Sequence, residues 1–206
     1  MSRPSFREMV EETLASGSSR GASLLLCRTP AVIRMLGFSP LNLEMTPKVV
    51  HKIASGKAGE RPAISPKVIG RFPELIDEPI MILESETLPG SLMVVTTAAD
   101  DSGFPVIVVI DPERNVDNRV ANMVSTAYGK NRVMWFVEQA EAGLLRYVDR
   151  KKVKGLGTPD VSSLTLNRQT EPGSQSPLVK SIFGPEDLCN FRAVAAQTAC
   201  TITPAA

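Results

Sequence analysis

The chain has 206 residues and a mass of 22.2 kDa, with 43% hydrophobic and 22% charged residues. That suits one folded domain and leaves no room for two full enzymatic domains. No apolar run approaches the ~18 residues of a membrane-spanning helix, and the N-terminus carries no apolar signal stretch, so action in the cytoplasm is expected. One His and three scattered Cys (Cys27, Cys189, Cys200) do not make a Cys/His zinc site of the usual spacing, and an odd Cys count suits a reducing compartment.

The formal net charge is +1, but it is unevenly spread: +6 over residues 1–73, −9 over 74–117, +5 over 118–154 and −1 over 155–206. Charge alone favours the plain reading, in which opposite charges neutralise each other around the surface. A fold that joins the two basic segments would instead build a positive face for an anionic polymer.

In chain order, residues 1–24 read as a short helix followed by a Gly/Ser-rich flexible linker, SGSSRGAS at 16–23. PAVIRMLGF (30–38) reads as a helix entered at Pro30 and stopped at Gly37. TPKVVHKIASG (46–56) repeats that pattern, with Thr46 as cap and Gly56 as stop. SPKVIGRFPELI (65–76) starts with the same Ser-Pro device, so the first 76 residues read as short helices and turns.

PIMIL (79–83) has strand length. SLMVVTT (91–97) and PVIVVID (105–111) are Val/Ile-rich and flank a Ser-Gly turn signal, which predicts a β-hairpin. In 117–130, Val120, Met123, Val124 and Ala127 recur at helical spacing, which predicts a helix capped at Asp117 or Asn118 and stopped at Gly129. Residues 131–143 read as a second helix and LLRYVD (144–149) as a strand. Residues 155–178 read as loop, 179–192 as one more strand or helix, and the tail as frayed. The predicted class is α+β: N-terminal short helices, then a small, mostly antiparallel twisted sheet with helices packed on one face. The predicted division is 1–29 (helix and linker), 30–192 (one domain) and 193–206 (tail).

Phosphate-loop, dinucleotide, nucleophile-elbow and zinc-protease motifs are absent. The carboxylates of 74–117 read as a solvated acidic edge. His51 is the only histidine, and on a helix it reads more readily as a surface residue than as a base. One segment is more pointed: Asn122, Ser125, Tyr128 and Lys130, followed by Arg132, with Arg146 and Tyr147 in the next strand. As a helix with a glycine stop it would gather an amide, hydroxyls and cations. Its plainer reading is a solvated serine, a packed tyrosine and a lysine complementing a helix dipole.

Residues 30 to about 153 resemble the C-terminal domain attached to phage MuF-type head proteins and to bacterial polymorphic toxins, grouped with the barnase, EndoU, colicin and RelE-like nucleases. The resemblance rests on FPELIDEPIMIL (72–83), LPGSLMVVTT (88–97), GFPVIVVID (103–111), NMVSTAYGK (122–130) and GLLRYVD (143–149). It implies a toxin-like, metal-independent ribonuclease that needs no cofactor and acts on RNA, tRNA above all, by 2′-OH attack to a 2′,3′-cyclic phosphate. An immunity protein or antitoxin would be its partner. Ser125, Tyr128, Lys130 and Tyr147 match the family's stretches; the helical region that carries a His in many members holds His51, Lys52 and Lys57 here.

Such chemistry needs a base, an acid and positive charge on the phosphorane. The candidates for catalysis are His51, Ser125, Tyr128, Lys130 and Tyr147. Those for RNA binding are Lys52, Lys57, Asn122, Arg132, Arg146, Lys151 and Lys152. Two alternatives stand beside this reading: a non-catalytic phage-head or nucleic-acid-binding domain, and an ADP-ribosyltransferase-like effector, for which no convincing Arg–Glu pair is present.

Overall fold

The computed structural model describes residues 4–57, 60–116, 118–132, 134–154 and 182–200. The expected loop at 155–178 and the last tail residues lie outside them. Among the described residues the chain forms eight helices and a seven-stranded, mostly antiparallel open sheet. No described helix is long and apolar enough to cross a membrane.

Helix α1 (Phe6–Ser16) starts on a capping box between Ser5 and Glu8 and stops at left-handed Gly17. It buries Phe6 and Val10 in the main core, and residues 17–23, mostly exposed and without helix or strand, lead from it to strand β1 (Leu24–Arg28). After α2 (Ala31–Met35) comes a second short strand, β2 (Asn42–Met45), antiparallel to β1. Neither strand was expected. Each has only four or five residues, none of them β-branched, and is fixed by its neighbours rather than by its own propensity.

The proline-led helices form as expected. Thr46 caps α3 (Pro47–Ser55), and Ser65 caps α4 (Pro66–Ile69), which α5 (Phe72–Asp77) follows. Strand β3 (Met81–Glu84) and the hairpin of β4 (Leu92–Ala99) and β5 (Pro105–Val116) also form. Residues 119–129 overturn the expected helix: they are strand β6 (Arg119–Gly129), antiparallel to β5 from Val116↔Arg119 to Val106↔Gly129.

The physical reason is a β-bulge. Ile110 pairs with Val124 and Val109 with Thr126, which leaves Ser125 as the extra residue. Val124 and Ala127 therefore reach the same core three positions apart. A bulge turns a period of two into a local period of three, which imitates a helix.

Helix α6 (Met134–Glu141), strand β7 (Leu145–Val148), α7 (Arg150–Val153) and α8 (Pro185–Cys200) are the remaining elements among the described residues. The sheet order is β1-β2-β6-β5-β4-β3-β7, and only the β2–β6 pair is parallel. Alternation sends Leu92, Val94, Val106, Val108 and Ile110 to one face and Met93, Val95 and Ile107 to the other. The first face carries α1–α5 and α8. The second is partly covered by α6 and α7 through Phe136 and Val153, so helices lie on both faces rather than on one.

Candidate functional site

Strand β6 ends at a corner of the sheet where three segments meet. Gly56 turns the chain after α3 at φ +63°, and a Cβ there would stand 2.6 Å from the Arg61 carbonyl oxygen. That close approach lets Lys57 N–H donate to the Arg61 carbonyl at 2.7 Å and Arg61 N–H donate back at 2.9 Å. The β4–β5 turn docks beside this loop through Asp101 N–H donating to the Ala63 carbonyl. Lys130 N–H donates to the Pro105 carbonyl at 3.0 Å and fixes the end of β6.

Between these segments opens a cleft of about 530 Å³, with Lys57, Glu60, Arg61, Phe104, Gly129 and Asn131 among its lining residues. Tyr128 and Lys130 alternate with the lining residues Gly129 and Asn131, and Tyr128 packs with the α6 side chains. Arg61 bridges the two sides. Its guanidinium lies 4.9 Å from the Tyr128 ring centroid, while the Lys130 ammonium lies 4.3 Å from that of Trp135. Lys57 pairs with Glu60, and Arg132 with Glu138.

Among the described residues, neither Arg61 nor Lys130 has a carboxylate within ion-pair distance. Partial burial, then the charges of Arg132 and Arg61 against the opposing pull of Glu138, hold the Lys130 pKa below its usual value. Burial raises that of Tyr128, with Arg61 opposing. The two basic segments thus meet here, Lys57 and Arg61 from one and Lys130 and Arg132 from the other.

The remaining sequence candidates lie elsewhere. His51 is on α3, one helical turn before the cleft residue Ser55, and its Nε2 lies 3.1 Å from the Ser18 carbonyl oxygen. A carbonyl only accepts, so that nitrogen carries the proton. Lys52 is exposed on the same helix. Ser125, the bulge residue, donates to Asp111 at 3.3 Å. It stands three residues, about 10 Å, back along β6 from Tyr128. Asn122 is fully buried and joins two loops to β5, its side-chain oxygen accepting from Glu113 N–H and its amide donating to Thr29 and to the Ser39 carbonyl.

Arg146 and Tyr147 are on β7, four strand spacings or about 19 Å from β6. Arg146 is buried against Glu84. Tyr147 is buried, and that burial, with Asp149 nearby, pushes its pKa up to about 12. Lys151 and Lys152 follow on α7, and Lys152 reaches Glu78 and Asp149. The expected single constellation is therefore not assembled: Tyr128, Lys130, Arg132 and Lys57 come together, and the others do not. Sequence reading missed Glu60, Arg61 and Trp135. Only the positive charge of the first basic segment pointed toward Arg61.

Gly129 is required where it stands. A Cβ there would fall 1.7 Å from Asp100 Oδ2, a buried oxygen without a hydrogen-bond partner. The other Asp100 oxygen accepts from Ser102 and Phe104 N–H, both at 2.9 Å, and holds the turn. Gly129→Ala is expected to cost about 1–3 kcal/mol by overpacking, read as a lower urea midpoint with an unchanged slope.

Fold and corner together define an α+β sheet domain with a cationic, aromatic cleft. The family model described as "Phage MuF-C-terminal domain" matches residues 53–155, half of the chain and the part that builds this corner, and the chain belongs to that family. No curated protein and no solved structure matches the chain.

Proposed function

We propose that the domain is a metal-independent ribonuclease, toxin-like in action, that holds RNA at this corner. The observation that carries the reading is the pair Arg61 and Lys130: two neighbouring cations without carboxylate partners among the described residues, beside a cleft that also contains a carboxylate. Phosphate neutralises such charge, and RNA carries its own nucleophile. In the cleavage step Glu60 takes the proton of the 2′-OH, whose oxygen attacks the adjacent phosphorus. Arg61 and Lys130 stabilise the phosphorane charge. Tyr128, which keeps its proton at neutral pH, supplies it to the departing 5′-oxygen. The products are a 2′,3′-cyclic phosphate and a 5′-hydroxyl.

Incubation of purified protein with total tRNA and with mRNA in EDTA tests this. Discrete fragments with cyclic phosphate ends are expected. Glu60→Gln and Arg61→Ala should each slow cleavage about 100-fold, and His51→Ala should leave most of it. Intact RNA from folded protein at high concentration would overturn the reading.

A second reading is a phage-associated domain that binds nucleic acid without cutting it. It is favoured by the His51 ring, the usual base at neutral pH, being engaged with Ser18 outside the cleft lining. RNA retained but uncut would establish it, and a natural immunity or antitoxin partner would then not be required.

A further inference from the structure

The corner holds two aromatic rings, and each already carries a cation on its face. Arg61 lies over Tyr128 and Lys130 over Trp135, at 4.9 and 4.3 Å from the ring centroids. Both rings are half-buried, so each has a limited exposed surface, and a cation occupies part of it. Trp135 is held edge-on against Phe136, with centroids 5.4 Å apart, and Phe136 is fully buried, so the indole sits on a fixed base. Tyr128 stands on a strand paired at Ile107 and packs against the second core cluster.

A cation on an aromatic face is a modest contact, whereas a phosphate forms a charge-assisted bond with the same cation. A phosphate arriving at this corner would therefore compete with the rings for Lys130 and Arg61. The freed faces are flat, rigid and next to the phosphate-bound cations, which is the arrangement on which unpaired bases stack. A duplex keeps its bases stacked on each other and cannot use those faces.

Resting on the reading of this corner as an RNA site, we propose that it selects unpaired RNA by exchange. Phosphates take the Lys130 and Arg61 charges, and a splayed base replaces the Lys130 ammonium on Trp135. Trp135 is then a specificity-determining residue, not a catalytic one.

Trp135 is the only tryptophan of the chain, so its emission reports the exchange directly. The full chain is titrated with three probes: an unpaired 2′-O-methyl RNA 12-mer, the same strand as a duplex, and inorganic polyphosphate. The 2′-O-methyl group blocks cleavage, so binding is read apart from catalysis. The unpaired strand should quench Trp135, and the duplex should bind about tenfold more weakly. Polyphosphate should shift the emission without the stacking quench. Trp135→Leu should weaken binding of the labelled single strand about tenfold and leave polyphosphate binding unchanged. Lys130→Gln, which removes the charge and keeps the indole, should weaken both.

Equal affinity for strand and duplex, or the same quench with polyphosphate, would overturn the exchange even if RNA is cleaved in the separate assay. Strand-selective quenching from a protein that cuts no RNA would support the exchange and end the ribonuclease reading.

Discussion

Glu84→Ala is expected to cost about 3–5 kcal/mol of folding stability, the loss typical of breaking a buried ion pair from one side. Glu84 and Arg146 sit on adjacent strands β3 and β7, their side chains 5% and 8% exposed, with Arg146 Nη2 2.6 Å from Glu84 Oε2. Arg146 also donates to the Gly143 and Leu145 carbonyls, while its Nε has no hydrogen-bond partner. The guanidinium therefore already lacks one bond. Removing the carboxylate would leave a buried charge that backbone carbonyls alone do not offset.

A double change, Glu84→Leu with Arg146→Met, removes both charges and should recover much of the loss. Urea unfolding of the two singles and the double gives the coupling directly. A Glu84→Ala protein within 1 kcal/mol of wild type would show that the pair is solvated after all, and would return Arg146 to the list of RNA contacts.

Asn122→Ala should cost about 1–3 kcal/mol, the loss typical of leaving one buried polar group without a partner. The Asn122 amide donates to Thr29 Oγ1 at 2.8 Å and to the Ser39 carbonyl at 3.0 Å, and its oxygen accepts from Glu113 N–H at 3.0 Å. Glu113 holds a left-handed φ of +47° at the β5 irregularity, so its N–H has no ladder partner to fall back on. A truncated side chain leaves the Glu113 N–H without its partner, whereas Thr29 Oγ1 keeps its bond to the Leu41 carbonyl and the Ser39 carbonyl keeps that from Leu41 N–H. The folded fraction of Asn122→Ala should bind the unpaired 12-mer as wild type does. A weakened affinity at equal folded fraction would give Asn122 the contact role that sequence alone suggested.

Both residues show why chemistry-bearing side chains were hard to place from the sequence. Asn122, Ser125, Tyr128 and Lys130 lie within nine residues and look like one site. On a strand, neighbours alternate between faces, and the Ser125 bulge shifts that alternation once more. The result is one residue sealed in the core, one bonded to Asp111 and two at the open corner.

By itself the sequence determined the class of the fold, because its signals are local. Pro at helix starts, Ser and Thr caps, glycine stops and Val/Ile runs around a turn act within a few residues. Those signals placed α3, α4, the β4–β5 hairpin and β7. The uneven charge was also legible, as two basic segments separated by an acidic one. The tertiary structure decided which residues meet. Strands β1 and β2 exist because the sheet needs partners at its edge, and β6 is a strand because β5 offers a ladder along its length. Arg61 reaches Tyr128 across 66 intervening residues because the loop after α3 and the end of β6 close on the same corner. Pairing over such separations depends on complementary surfaces, not on local preference, and one chain read in order carries no signal for it.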